Sequence, residues 1–148
     1  MIRVLIIASS LVWAVSAQAA DPAPATKAAV QIDKPHYAVT VTSPAGAPAA
    51  ISMSPRGGFK INKAYPTKVV LTAGEGVTLP KTTLKKGDAT SLDEKGAAFP
   101  VAYTCGEAGG KVDATVKFSV CSEQTCEMVK EKVSWQVANA AAPPAKTE

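Results

Sequence analysis

Two runs near the C-terminal end constrain this chain more than any other feature. From Val112 to Cys121, the apolar Val112, Ala114, Val116, Phe118 and Val120 alternate with Asp113, Thr115, Lys117 and Ser119. From Val129 to Val137, the inward set Val133, Trp135 and Val137 repeats at the same spacing. A period of two places one side-chain set on each face of a strand, so both runs predict strands with one buried and one wetted face. Between them lies Cys121-Ser122-Glu123-Gln124-Thr125-Cys126, a Cys-x4-Cys loop.

Other segments follow the same rule. His36 to Thr42 carries Tyr37, Val39 and Val41 on one face, and Thr67 to Thr72 holds the β-branched run Val69-Val70-Leu71. Phe99 to Thr104 repeats the pattern with Phe99, Val101 and Tyr103. Pro44, Gly57-Gly58, Gly74-Glu75-Gly76, Gly87-Asp88 and Gly109-Gly110 punctuate the intervals. No stretch sustains a 3.6-residue period, and no internal repeat is present. The expectation is an all-β fold: an immunoglobulin-like antiparallel β-sandwich of about seven to eight strands. Phe99–Thr104 and Val112–Cys121 are expected to pair as a hairpin around Glu107-Ala108-Gly109-Gly110.

The ends read differently. Arg3, the apolar stretch Val4 to Val15 and the small-x-small site Ala17-Gln18-Ala19 predict a signal peptide over residues 1–19. The apolar stretch is shorter than the roughly 20 residues that span a bilayer, so no stable membrane anchor is expected. A cleaved chain of 129 residues, periplasmic or secreted, follows. Residues 20–29 form an Ala/Pro linker and residues 138–148 an Ala/Pro/polar tail. Both are expected to be disordered, because they lack the bulky apolar residues that offset ordering. The domain proper is then 30–137. Loss of Arg3 takes the formal charge from +4 to +3. Its lysines are spread along the sequence and read as a solvated surface; no nucleic-acid partner is expected.

Cys105, Cys121 and Cys126 are the three cysteines. In the expected hairpin, Cys105 sits beside the turn and roughly 30 Å from Cys121, beyond the about 7 Å that a disulfide spans. Cys121 and Cys126 instead bracket a short loop between two strands. In an exported protein they are expected to form a disulfide. On the chain-entropy estimate, a bridge closing so short a loop contributes only about 2 kcal/mol. Two roles therefore stand side by side, a structural staple and an exchanging redox pair. Lys117, Lys130 and Lys132 favour a thiolate there, while Glu123 and Glu127 oppose it. A third reading groups Cys121, Cys126 and Met128 as soft donors suited to Cu(I). His36 stands far off in sequence as a strand-start surface residue, and nothing completes a zinc site. Cys105 reads as a small hydrophobe at a strand end or as an intermolecular thiol. Signatures of hydrolases, metalloproteases and phosphate-cradling loops are absent, and no cofactor is expected.

Four segments then come in a telling order. They are Gly58-Phe59-Lys60-Ile61-Asn62-Lys63-Ala64-Tyr65-Pro66, Gly76-Val77-Thr78-Leu79-Pro80, Phe99-Pro100-Val101, and Val116 to Cys126. Together they resemble the N-terminal periplasmic domain of the thiol:disulfide interchange protein DsbD and its stand-alone relatives, over roughly 31–137. The resemblance implies an immunoglobulin-like fold with the cysteine pair at one edge, and Cys121 and Cys126 as the exchanging (catalytic) pair. It implies a membrane thiol–disulfide transducer as electron donor and thioredoxin-like periplasmic proteins as acceptors. It also implies mixed-disulfide attack at Cys126. The sequence departs from the family in its shorter Cys–Cys spacing, in the Glu127-Met128-Val129 that follows, and in having no aromatic between Lys81 and Gly96. The alternative expectation is a non-catalytic binding or scaffold domain with a structural Cys121–Cys126 bridge.

Overall fold

The two alternating runs form the longest hairpin of the molecule. In the computed structural model, which describes residues 28–44 and 47–138, the chain contains twelve strands among the described residues. They are β1 (Ala28–Asp33), β2 (Tyr37–Thr42), β3 (Ala49–Pro55), β4 (Lys60–Ile61), β5 (Lys68–Ala73) and β6 (Val77–Thr78). Then come β7 (Thr83–Lys85), β8 (Ser91–Asp93), β9 (Gly96–Val101), β10 (Thr104–Cys105), β11 (Gly110–Cys121) and β12 (Cys126–Val137). Five of these have only two or three residues, so seven longer strands carry the architecture. The one helical piece described is a single 3-10 turn, Lys86–Asp88.

All pairing is antiparallel. One sheet runs β1-β2-β3-β9-β8; the other runs β12-β11-β5-β7, with β4 added beside the end of β11. A two-stranded ribbon, β6-β10, closes one end. The two sheets share one core. Val39, Ile51, Met53 and Phe99 from the first meet Val69, Val116, Phe118 and Trp135 from the second. Tyr37 and Phe118 cross the layer edge to face, with centroids 5.4 Å apart. Each such large side chain, fully removed from water, contributes roughly 1.5–3 kcal/mol. This is the all-β antiparallel sandwich that the alternation predicted.

The expected hairpin between Phe99–Thr104 and Val112–Cys121 is not formed. The Phe99 strand is β9, which ends at Val101 and lies between β3 and β8, in the sheet opposite β11. Two strands with one apolar face each satisfy burial equally well side by side or face to face across a core. The sequence pattern does not distinguish these, and here the chain takes the second. Residues 102–109 carry it from one sheet to the other, pausing where Thr104 and Cys105 pair with Thr78 and Val77. Gly109, at φ +69°, has no room for a side chain: a Cβ would stand 2.4 Å from the Val137 carbonyl oxygen.

At the N-terminal side, β1 begins at Ala28, so the last two residues of the expected linker belong to a strand. The expected signal peptide, the rest of the linker and the tail beyond Ala138 lie outside the described residues.

Candidate functional site

The site sits at the tip of the β11–β12 hairpin. Every residue from Gly110 to Cys121 finds a partner from Val137 back to Cys126, and the last pair in that register is Cys121 with Cys126. Directly opposed residues of an antiparallel pair have neighbouring Cβ atoms on the same face. The two sulfurs are accordingly bonded, with Cα atoms 4.0 Å apart. The loop is a tight turn organised by Ser122. Its backbone N–H donates to the Thr125 carbonyl at 2.8 Å, and its hydroxyl accepts from Gln124 N–H at 3.3 Å and Thr125 N–H at 3.2 Å. A serine side chain here does locally what a longer hairpin loop does with backbone alone.

The two cysteines are not equivalent. Cys126 is exposed, whereas Cys121 is half-buried. The strand β4 lies against Cys121, setting Lys60 opposite it in register. The Ser119 hydroxyl lies 4.0 Å from the Cys121 sulfur on the same face. A tight turn in which Asp93 accepts from the Lys95 and Gly96 N–H groups projects Glu94 toward this end. Glu94 pairs with Lys60 at 3.5 Å and Lys63 at 3.9 Å, and its carbonyl accepts from Ile61 N–H. A cleft of about 570 Å³ opens beside the bridge, bounded by Lys60, Asn62, Lys63, Glu94, Cys121 and Ser122.

On the other face of β12 the two glutamates find separate partners. His36 Nδ1 donates to Glu127 at 2.9 Å, while its ring stacks on Phe59 with centroids 4.0 Å apart. Tyr37 OH donates to Glu131 at 2.6 Å. Burial, and then this bond to a carboxylate, push the Tyr37 phenol well above its ordinary range. His36 thus stands immediately before β2, close to the strand start that its position predicted, and ties that strand's entry to the residue after Cys126. Lys117 and Lys130, expected near the cysteines, share the outer face with them; Lys132 follows on that face two pairs further along. Met128 is on that face too, 78% exposed. With both sulfurs in one bond, the trio Cys121, Cys126 and Met128 offers no thiolate to a metal in this state. Among the described residues no group of three or more His, Cys, Asp or Glu side chains is placed to hold an ion.

Cys105 lies in β10 at the opposite end of β11, half-buried against the core and unbonded. Its separation from the pair stands, although the hairpin from which it was inferred does not exist. Lys60 and Glu94 were not singled out by sequence reasoning. Lys60 lies inside one of the segments carrying the family resemblance, but Glu94 reaches the site only through the β8–β9 turn, which no local pattern connects to a cysteine 27 residues on. Comparison of the chain with profiles of known protein families, with characterised proteins and with solved structures finds no match to any of them.

Proposed function

We propose that this chain is an exported dithiol/disulfide exchange module working through Cys121 and Cys126. The observation carrying the proposal is the placement of the bridge. It closes a six-residue loop at the exposed tip of a hairpin whose strands are already held by a full ladder. A cross-link there restrains the unfolded chain little and the folded chain hardly at all, so stability is a weak reason for it. Accessibility is what an exchanging pair requires.

The chemistry follows from the asymmetry. A partner thiolate attacks Cys126 Sγ, the exposed sulfur; the Cys126–Cys121 bond breaks and Cys121 leaves as a thiolate. A second partner thiol then attacks the mixed disulfide. The partner departs oxidised, and the module keeps two electrons and two protons as a dithiol. Running the same steps backwards passes them on. A membrane thiol–disulfide transducer as donor and thioredoxin-like proteins as acceptors, in an oxidising compartment reached by signal-peptide cleavage, complete the proposal.

Trapping tests the order of events. In a Cys121→Ser variant, the Cys126 thiolate should attack oxidised glutathione, release one reduced glutathione and keep the other as a stable mixed disulfide, read as a mass increase. In Cys126→Ser, the half-buried Cys121 should do so at least several-fold more slowly. Equal rates at both positions, or no adduct at either, would contradict the scheme.

A further inference from the structure

The outer face of the β12-β11-β5-β7 sheet carries a row of lysines that no local sequence pattern announces. Lys130 is opposite Lys117, Lys117 is opposite Lys68, and Lys68 is opposite Lys85. Directly opposed residues share a face, so four ammonium groups cross all four strands in a line about 14 Å long, at the usual inter-strand spacing. Lys132 follows in the next outward row, and none of the five pairs with a carboxylate among the described residues.

Alternation segregates charge on β12. Its lysines point outward, while Glu127 and Glu131 lie on the other face with His36 and Tyr37. The acid contributed to the outer face by β11 is Asp113, whose carboxyl a hydrogen bond from Ser134, and then Lys111 at 3.2 Å, hold below the usual range. Like charges set directly opposite one another destabilise a sheet. The row is thus a local cost in the isolated domain, relieved when an anionic surface covers it.

The same face leads to the disulfide. The Ser119 hydroxyl near the Cys121 sulfur fixes residues 117, 119 and 121 on one side of β11, so the row lies about 13 Å along the strands from the bridge. Met128, the most exposed large apolar side chain described, stands between them, and Val70, 37% exposed, flanks the row on its other side. We infer that this face is the docking surface for an acidic protein partner, which the lysines steer so that its thiol reaches Cys126. This rests on the exchange reading of Cys121 and Cys126 for its purpose, but not for its geometry. A protein surface fits better than a lipid bilayer. Sheet twist fans the row by roughly 20–25° per strand, away from any plane, and the disulfide shares the face.

The test uses the mature chain and two cysteine-free fluorescent peptides, one with six glutamates spaced by glycine and its glutamine twin. Binding is followed by anisotropy at low and high salt. The glutamate peptide should bind at low salt, weaken with salt, and lose about ten-fold or more in affinity in the Lys68→Gln/Lys117→Gln/Lys130→Gln variant. A Lys34→Gln/Lys95→Gln control should match the parent. Cysteine-bearing versions of both peptides then report exchange. The acidic thiol should open the bridge at least about ten-fold faster than its twin, with the advantage gone in the triple variant. Equal binding of the two peptides, or a preference that survives the triple variant, overturns the inference. So does lysine-dependent binding to phosphatidylglycerol vesicles without binding to the peptide. If the acidic peptide binds through the lysines but no thiol opens the bridge, the docking face stands and the exchange reading falls.

Discussion

The two ends of β11 solve the same problem, how to join a strand to its neighbours, by opposite means. At the Gly109-Gly110 end the chain is held without a covalent link, by close packing and by backbone hydrogen bonds such as Gly109 N–H to the Gly106 carbonyl and Gly74 N–H to the Lys111 carbonyl. A Cβ on Gly110 would meet Val77 and the Glu75 carbonyl oxygen at 2.4 and 2.5 Å, and the adjacent Gly109 fits against Val137 just as closely. Cys105 lies near this end and forms no cross-link. At the other end, where the turn is exposed and Ser122 already organises it, the chain carries a covalent bond. The crowded end, where a staple would lock the crossover between sheets, has none. The open end, where a staple adds least, has one. The exchange proposal accounts for a bond placed where stability needs it least; the staple reading does not.

That contrast can be broken from either side, and the largest effect belongs to the crowded end. Gly109→Ala forces a side chain into a filled space at positive φ and should cost about 3 kcal/mol or more in urea unfolding. A neutral result would mean that the crossover is loosely packed. Cys121→Ser/Cys126→Ser should cost no more than about 2 kcal/mol and leave the far-ultraviolet circular dichroism unchanged. Loss of the fold would make the bridge a staple and erase the contrast. Tyr37→Phe removes the bond to Glu131 and should cost about 1 kcal/mol. It should also alter the pH profile. The folded state favours the neutral phenol, so its contribution is complete below the ordinary tyrosine value, about 10, and is lost as pH rises above it. Stability of the parent should therefore fall more steeply above pH 10 than that of the phenylalanine variant. The smallest effect belongs to the lysine row. Lys117→Glu turns two like-charged contacts into opposite-charged ones and should raise stability by about 0.5–1 kcal/mol at low salt, a gain that salt removes.

Much of the fold was legible because the longest strands obey a strict period of two. Val112 to Val120 and Val133 to Val137 alternate without a break, and each inward residue is buried where expected. β3 was harder to see, since its inward Ala49, Ile51 and Met53 alternate with alanine and serine, and Ile51 is the one β-branched residue among them. The partner of each strand was less legible still. Phe99 and Val112 look alike in sequence, and only the three-dimensional core decides that they face rather than flank each other. The site was readable at its centre, because Cys121 and Cys126 are local to one hairpin. Its surroundings were not. Lys60, Glu94, His36 and the alignment of Lys68 and Lys85 with Lys117 arise only through long-range register, which a strand's own composition does not encode.

The central claim, that the bridge is a working couple, is tested most directly by its redox equilibrium. The purified protein would be equilibrated with mixtures of reduced and oxidised glutathione and its thiols counted by alkylation and mass. A Cys121–Cys126 couple poised between about −120 and −270 mV, the range of exchange proteins, is the predicted result. A bridge that stays oxidised throughout, with a potential below about −300 mV, would contradict it and leave a structural cross-link at the tip of a binding domain.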